Sequence, residues 1–584
     1  MTPLPEPTSR RRLWLVAAPT ALALTLAGCA AGTQSAAPAT TPEATSEAEP
    51  AVDTALDGFS TAADVLAGNQ EAHDDPADAE WSQADAATID LDGSTASSAS
   101  ADVDIAGSTV TISAAGTYLL SGDLEGQVVV DSAGEGTVTL VLDGVDIAHT
   151  AGAAIDIVAA DEAVVVLAEG STNTLSDAAS YAEDDEADAA LASAADLTIT
   201  GTGALSVTGN GNDAIASRDG LVIQSGTINV DAADDGIRGK DYLIVRDGDI
   251  AVDAGGDGLK ADNEEDADRG FIAIEGGTLA LTVGGDGVDA FTDVVQTGGT
   301  VDITAGGGAT SDPDSGAKGI VAGTIAVLEA GTTRIDAADD AVNTDAYVHF
   351  SGADVELSSG DDGAHAELQL VVSEGEVAVA SSVEGLEAGQ ITIEGGTIAL
   401  TASDDAVNVS EPDAGTAALT LVITGGDLTV DAGGDGLDAN GAVEMGGGTV
   451  VVQGPTNDGN GAIDADGGVT ISGGTLYALG TAGMAQAPRA DSAQASVQFT
   501  VRSRIPAGTT LTVVSASGQK LGTVTATKQA QSLVFSTAGL VNGETYSLVA
   551  DGDTVATAVA GEQSSAGMGG PGMGGGPGTP VPPR

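Results

Sequence analysis

The chain of 584 residues contains a single cysteine, few aromatics and few basic residues, and each shortage excludes something. With Cys29 alone, no disulfide can form within the chain. Aromatic residues make up only 2%, so a bulky globular-enzyme core is disfavoured and any sugar-stacking platform has little to draw on. Lysine and arginine number 17 against 88 aspartates and glutamates, a formal net charge of −71. That field argues against nucleic acid and anionic membrane surfaces as partners and favours cations or neutral polymers. An acidic surface also serves solubility in salt. The four histidines form no HExxH or comparable metal motif.

What is present begins at the N-terminus. Arg10, Arg11 and Arg12 precede an apolar run over residues 13–26, too short to span a bilayer. The run ends at Leu26-Ala27-Gly28-Cys29, small residues before a cysteine. This pattern predicts a lipoprotein signal peptide over 1–28, with Cys29 as the lipidated residue. Export by the general or the twin-arginine route stays open. Residues 29–60, rich in Ala, Thr, Pro, Ser and Glu, read as a disordered tether, and 561–584 as a Gly/Met/Pro tail. The expected location is the outer face of the cell membrane, reached through a lipid anchor only.

Glycine is abundant, with 83 residues, and it recurs in phrases. Ile274-Glu275-Gly276-Gly277-Thr278 is echoed by Ile393-Glu394-Gly395-Gly396-Thr397 and Ile471-Ser472-Gly473-Gly474-Thr475. Marker glycines run from Gly203 through Gly226, Gly248, Gly277, Gly299, Gly331, Gly352, Gly375, Gly396, Gly426 and Gly447 to Gly474. Most intervals are about 22 residues, and inserts at 262–268, 306–317 and 411–416 account for the longer ones. A fixed period without a leucine framework predicts an all-β fold, a parallel β-helix of about 22-residue rungs over 61–490. Alternating strands with Ser517-Gly518 and Asn542-Gly543 turns predict a small antiparallel β-unit over 491–560. A short helix is expected near 60–70.

Fixed period turns sequence offsets into columns in space. Nine residues after the marker stand Asp235, Asp257, Asp286, Asp340, Asp405 and Asp435, with Glu384 among them, while Asp213 and Asp362 fall at offset ten. Doubled acids include Asp234 beside Asp235, Asp339 beside Asp340, Asp361 beside Asp362 and Asp404 beside Asp405. At offset twelve a polar column holds Arg238, Lys260, Asp289, Asn343, Glu387, Asn408 and Asp438, with His365 one step off. Carboxylates stacked about 5 Å apart repel by on the order of 1 kcal/mol in water. Calcium, a hard cation that takes carboxylate oxygens, is one answer, and makes all these aspartates from Asp234 to Asp435 candidate ligands. The other answer is that each aspartate accepts N–H bonds within its own turn. Gly284-Gly285-Asp286-Gly287 and Gly433-Gly434-Asp435-Gly436 match the calcium nonapeptide locally without its nine-residue recurrence.

Several phrases in order resemble a known family. They include His73-Asp74-Asp75 with Trp81, Gly116-Thr117-Tyr118-Leu119-Leu120-Ser121-Gly122 and Leu140-Val141-Leu142-Asp143-Gly144-Val145. Asn173-Thr174-Leu175-Ser176-Asp177, Asp234-Asp235-Gly236-Ile237-Arg238-Gly239-Lys240-Asp241, Glu384-Gly385-Leu386-Glu387 and Gly454-Pro455-Thr456 complete the set. Over about residues 70–490 the chain is similar to the bacterial carbohydrate-binding domain-containing proteins, which resemble polysaccharide-lyase-like β-helices. The resemblance implies a right-handed β-helix, bound calcium, and binding of cellulose-like or uronate-containing polysaccharides. Ala341 and Ala406 depart from it where glycine is usual, and Ala364 where an aliphatic is usual.

Three functions are then expected in order. The first is a non-catalytic, calcium-dependent polysaccharide-binding surface, with Arg238, Lys240, Lys260, Asn343, His365, Glu387 and Asn408 as sugar contacts. The second is a calcium-dependent pectate-type lyase, with Lys260, Arg238 or Lys240 as base and Lys318 also near acid turns. The third is a structural, adhesin-like rod. Trp81, Tyr181, Tyr242, Phe271 and Phe291 are the few stacking candidates, each expected to serve packing instead.

Overall fold

The computed structural model describes residues 56–182, 187–412 and 417–562. The signal peptide, Cys29, most of the tether and nearly all of the tail lie outside the described residues. Within them the chain coils into a parallel β-helix. Each rung contributes three short strands, for example Thr227–Ala232, Ile237–Gly239 and Tyr242–Val245. Stacked rungs build a 16-stranded sheet from the middle strands and a 32-stranded sheet that bends around the other two faces. Strand Thr137–Ala148 joins those two faces, pairing with both Glu162–Leu167 and Thr172–Ser176.

The expected period is the stacking register. Ile228 lies opposite Ile250, and the acid column steps by 22 residues from Asp235 to Asp257. The step lengthens to 29 and 32 at the inserts expected from the sequence. Six-residue strands alternate exposed and buried, as in Asp249–Ala254, and three-residue strands bury their two ends around an outward centre. The inward residues form aliphatic ladders in one continuous core. Ala341, Ala364 and Ala406 all lie in it, fully buried.

The marker glycines have a steric cause. Gly226, Gly248, Gly277, Gly299, Gly331, Gly375, Gly396, Gly426 and Gly474 all have positive φ, and neighbouring rungs crowd them. At Gly299 (φ 78°) an added Cβ would sit 2.8 Å from the Gly276 carbonyl oxygen. Gly299→Ala is therefore expected to cost about 2 kcal/mol, combining left-handed strain with the clash, read as a lower urea midpoint. In two rungs the equivalent position is not the marker chosen from sequence. Asp354 pairs with Thr332, so Ala353 takes the glycine's place and Gly352 is one residue early. Gly448, with φ 73°, replaces Gly447. Counted from Ala353, Asp362 and His365 fall in register with their columns.

Two features close the solenoid. At its start, Ala87–Gly93 pairs antiparallel with Ala96–Ser98, and Val103–Ala106 with Thr109–Ile112. At its end, Thr475–Gly480 pairs antiparallel with Ala530–Ser536, which also binds Ser496–Ile505. A four-stranded antiparallel sheet follows, packed around Phe499, Phe535, Leu511 and Leu548. These antiparallel pairings cover rung edges that would otherwise template association.

A strap along one outer face was not foreseen. The short helix Ala62–Gly68 forms where expected, closed by a Thr61/Asp64 capping box. It belongs to a segment that crosses successive rungs. The Gly58 N–H donates to Gln369, the Ser60 carbonyl accepts from His349, and Val65 packs on Val295, Ile325 and Val327. Further along, Asn69 donates to Asp293, and Asp74 receives two hydrogen bonds from Arg246. His73 meets Tyr242 and Thr198. Residues 56–60, read from sequence as the end of a tether, are thus packed against the rod. The strap explains why strands such as Tyr242–Val245 and Phe271–Ile274 are buried on both sides.

Candidate functional site

The middle strands place one outward residue per rung in a column. Its order is Arg238, Lys260, Asp289, Val321, Asn343, His365, Glu387, Asn408, Asp438 and Asp464. Arg238 and Lys260 are neighbours, as their shared offset predicts.

Just before each of these strands stands the acid column, and it is a hydrogen-bonded ladder. Asp213 Oδ1 accepts from the Asp235 N–H, Asp235 from Asp257, and Asp257 from Asp286. Asp286 accepts from the Lys318 N–H, Asp340 from Asp362, Asp405 from Asp435, and Asp435 from Gly461. The acids therefore satisfy the backbone of the next rung, not of their own turn as the Asx alternative supposed. The doubled acids divide their roles. Asp234, Asp361 and Asp404 are exposed, whereas Asp235, Asp340 and Asp362 are buried in the ladder. The glycines before Asp257, Asp286 and Asp435 leave room for the carboxylate below: a Cβ on Gly285 would lie 2.4 Å from Asp257 Oδ1. The resemblance to a calcium nonapeptide thus has a packing cause.

The second carboxylate oxygens of Asp213, Asp235, Asp257 and Asp340 meet basic side chains, and here the rod changes character along its length. Arg238 donates to Asp213 at 2.7 Å and Asp188 at 2.8 Å, and lies 3.6 Å from Asp262. Lys260 pairs with Asp257 and is 3.4 Å from Asp235 and 3.5 Å from Asp289. Lys318 Nζ is 2.7 Å from both Asp339 and Asp340. Beyond Asp340, among the described residues, no lysine or arginine pairs with a ladder acid. Asn343 donates to Asp340, Asn408 to Glu384 and Glu387, and His365 lies 3.6 Å from Asp362.

Burial and mutual repulsion shift these groups. Burial pushes Asp213 up to about 7, opposed by Arg238. It raises Asp286 to about 6, Asp405 to about 7 and Asp438 to about 6, with adjacent carboxylates adding to all three. Asp362 and Glu384 are raised by burial and by each other's neighbourhood of acids. Burial pulls Lys260 down, but Asp257, Asp235 and Asp289 outweigh it and hold the group as an ammonium. A lysine so held is unsuited to remove a proton from a sugar. Arg238 is likewise raised by Asp213 and Asp188 against burial. Lys240 sits partly exposed in the turn beyond the column.

Of the aromatic candidates, Tyr242 and Phe271 stack on each other under the strap, Trp81 packs on the first rungs, and Tyr181 donates to Asp177. Phe291 departs from the packing expectation. It is 50% exposed and lines a groove with Asp289, Thr324, Asp345 and Glu264, Glu265 and Asp266 of the 262–268 insert. The signal for it was available, since it follows the outward residue Asp289 by two positions, at a turn.

Residues 106–363 match the model of the carbohydrate-binding domain-containing protein family, within the stretch where the sequence resemblance lies. Carbohydrate binding fits that match. Among solved structures, the chain is similar to a polysaccharide lyase-like protein from C. thermocellum, solved as a gadolinium derivative. Identity is 28%, with 49% of this chain and 96% of that chain covered, at a TM-score of 0.36. No curated protein matches this chain.

Proposed function

We propose that the protein is a non-catalytic, calcium-dependent polysaccharide-binding surface lipoprotein, attached through Cys29 to the outer face of the cell membrane. The observation that carries the reading is the unpaired stretch of the acid column. Asp404, Asp405, Asp435, Asp438 and Asp464 offer carboxylate oxygens on successive rungs with no lysine or arginine paired to them among the described residues. Calcium takes such oxygens from irregular turns. Asp235, Asp257, Asp339 and Asp340 fit it less well, because Lys260 and Lys318 already fill the outward position. Calcium on this strip would present a positive charge to uronate carboxylates or to sugar hydroxyls, with Glu387 and Asn408 beside it and Asn343 further along the same column. The ammonium state of Lys260 favours this reading over a lyase.

Retention of the purified protein on insoluble cellulose and on pectate, with calcium or with chelator, tests the proposal. Binding to at least one polymer in calcium, loss in chelator and no unsaturated product are expected. Binding indifferent to calcium, or product formation lost in Lys260→Ala, contradicts it. Phe291→Ala should weaken retention at least about fivefold, near 1 kcal/mol for a lost stacking face, with the thermal midpoint unchanged. Unchanged retention would remove Phe291 from the binding surface.

A further inference from the structure

Just past the reach of Lys318, the outward column carries a histidine. His365 occupies the centre of strand Ala364–Ala366, between Asn343 and Glu387 in register. One ligand atom each from Asp362, His365 and Glu387 lies within 4.8 Å of the others. Asp362 is only 6% exposed, while His365 and Glu387 are partly open, so the three form a cup closed below and open to solvent.

The other histidines are engaged elsewhere. His73 is held by Tyr242 and Thr198, His349 by Ser60 and Ser373, and His149 by the Ala153 carbonyl. His365 has, among the described residues, only the 3.6 Å approach to Asp362. Glu384 sits at the rim, and Asn408 donates to it at 2.6 Å and to Glu387 at 3.2 Å. Two ligand carboxylates and a third beside them therefore converge on one imidazole with no lysine or arginine paired to them. Positive charge must come from protons or from a bound cation.

The nitrogen donor selects the kind of cation. Calcium takes oxygen ligands, whereas imidazole suits zinc, nickel, copper and iron. We propose that Asp362, His365 and Glu387 form a site for a zinc-class divalent cation, with its remaining position open to solvent. A tetrahedral ion bound at about 2.1 Å holds its donors about 3.4 Å apart. With no separation above 4.8 Å, the three side chains reach that spacing by closing at most about 1.4 Å. Asn408 would orient the Glu387 carboxylate from outside, as second partners of metal ligands do. The site adjoins the calcium strip, which begins one rung beyond Glu387, but its ligand set includes none of the strip's aspartates.

The test uses the full chain, stripped with chelator and dialysed against zinc in excess calcium, followed by metal analysis. One zinc ion per chain should be retained. His365→Asn should weaken zinc binding at least about tenfold. Asparagine already occupies the same column at Asn343 and Asn408, so the fold accepts it. Cobalt(II) serves as a second probe, and its ligand-field absorption should appear in the parent and vanish in His365→Asn and Glu387→Gln. Zinc wholly displaced by calcium, or bound equally by His365→Asn, overturns the proposal. Calcium-dependent polysaccharide retention by the parent chain is scored separately from its zinc content, so failure here and failure of the binding reading are told apart.

Discussion

Replacing Arg238 with methionine is expected to lower the stability of the rod by about 3–5 kcal/mol at neutral pH, the range seen when one partner of a buried ion pair is removed. Arg238 keeps 16% of its side-chain exposure and Asp213 only 2%. Asp213 also accepts from the Asp235 N–H, so its carboxylate cannot turn to water without opening the ladder. Asp188 and Asp262 are about 40% exposed and would rehydrate at little cost. The loss should grow with pH. Asp213 is already raised to about 7 by burial, and without Arg238 it rises further. A carboxyl raised in the folded state holds a proton that the unfolded chain releases. That proton's contribution is complete below the unfolded value of 3.8 and is lost as pH climbs through the folded one. Urea unfolding of Arg238→Met should therefore show a larger deficit at about pH 8 than at about pH 5. Asp213→Asn in the same chain should recover most of the loss, because an amide oxygen still accepts from Asp235 without a buried charge. A deficit under about 1 kcal/mol, or no recovery in the double variant, would show that the pair is not what holds these rungs.

In chelator, the parent protein is expected to lose stability as pH rises from about 5 to about 8, and calcium is expected to restore it. Asp405 is raised to about 7 and Asp438 to about 6, and Asp435 moves in the same direction, all by burial first. The groups facing them are further acids: Asp404, Asp464 and Asp466. Each raised group binds more protons folded than unfolded between about pH 4 and its own folded value, so stability falls with pH through that window. Calcium at a hundredfold excess over its Kd should return about 2.7 kcal/mol per site. The thermal midpoint in chelator should fall across this range, and millimolar calcium should flatten the curve. Calcium-dependent protection from hydrogen exchange should concentrate in residues 404–466 and spare the Arg238, Lys260 and Lys318 rungs. A midpoint that rises with pH in chelator, or protection spread evenly along the rod, would sink the assignment.

The columns were legible because a solenoid maps sequence offset onto position. Once glycine recurs every rung, residues at one offset must stack, and Asp235, Asp257, Asp286, Asp405 and Asp435 did so. The places where counting slipped are instructive. Asp362 and His365 looked displaced only because Ala353 replaces a glycine that strand pairing, not composition, identifies. The neighbourhood of Arg238 and Lys260 followed from offset, but their roles did not. Whether a lysine is a base or a clamped cation depends on carboxylates from three rungs, and Asp235, Asp257 and Asp289 meet around Lys260 only after stacking.

The sequence by itself determined the repeat, the rung length, the inward aliphatic ladders, the antiparallel end unit and the existence of an acidic edge. These are set by local patterning and by steric demands that a single rung already makes. Only the tertiary structure decided the direction of the acid ladder's hydrogen bonds, the strap over one face and the division of the column into paired and unpaired halves. Each of these joins residues remote in sequence through contacts that no periodicity encodes. Gly58 meets Gln369, Asp74 meets Arg246, and a side chain's charge state is fixed by the neighbours that the stack delivers.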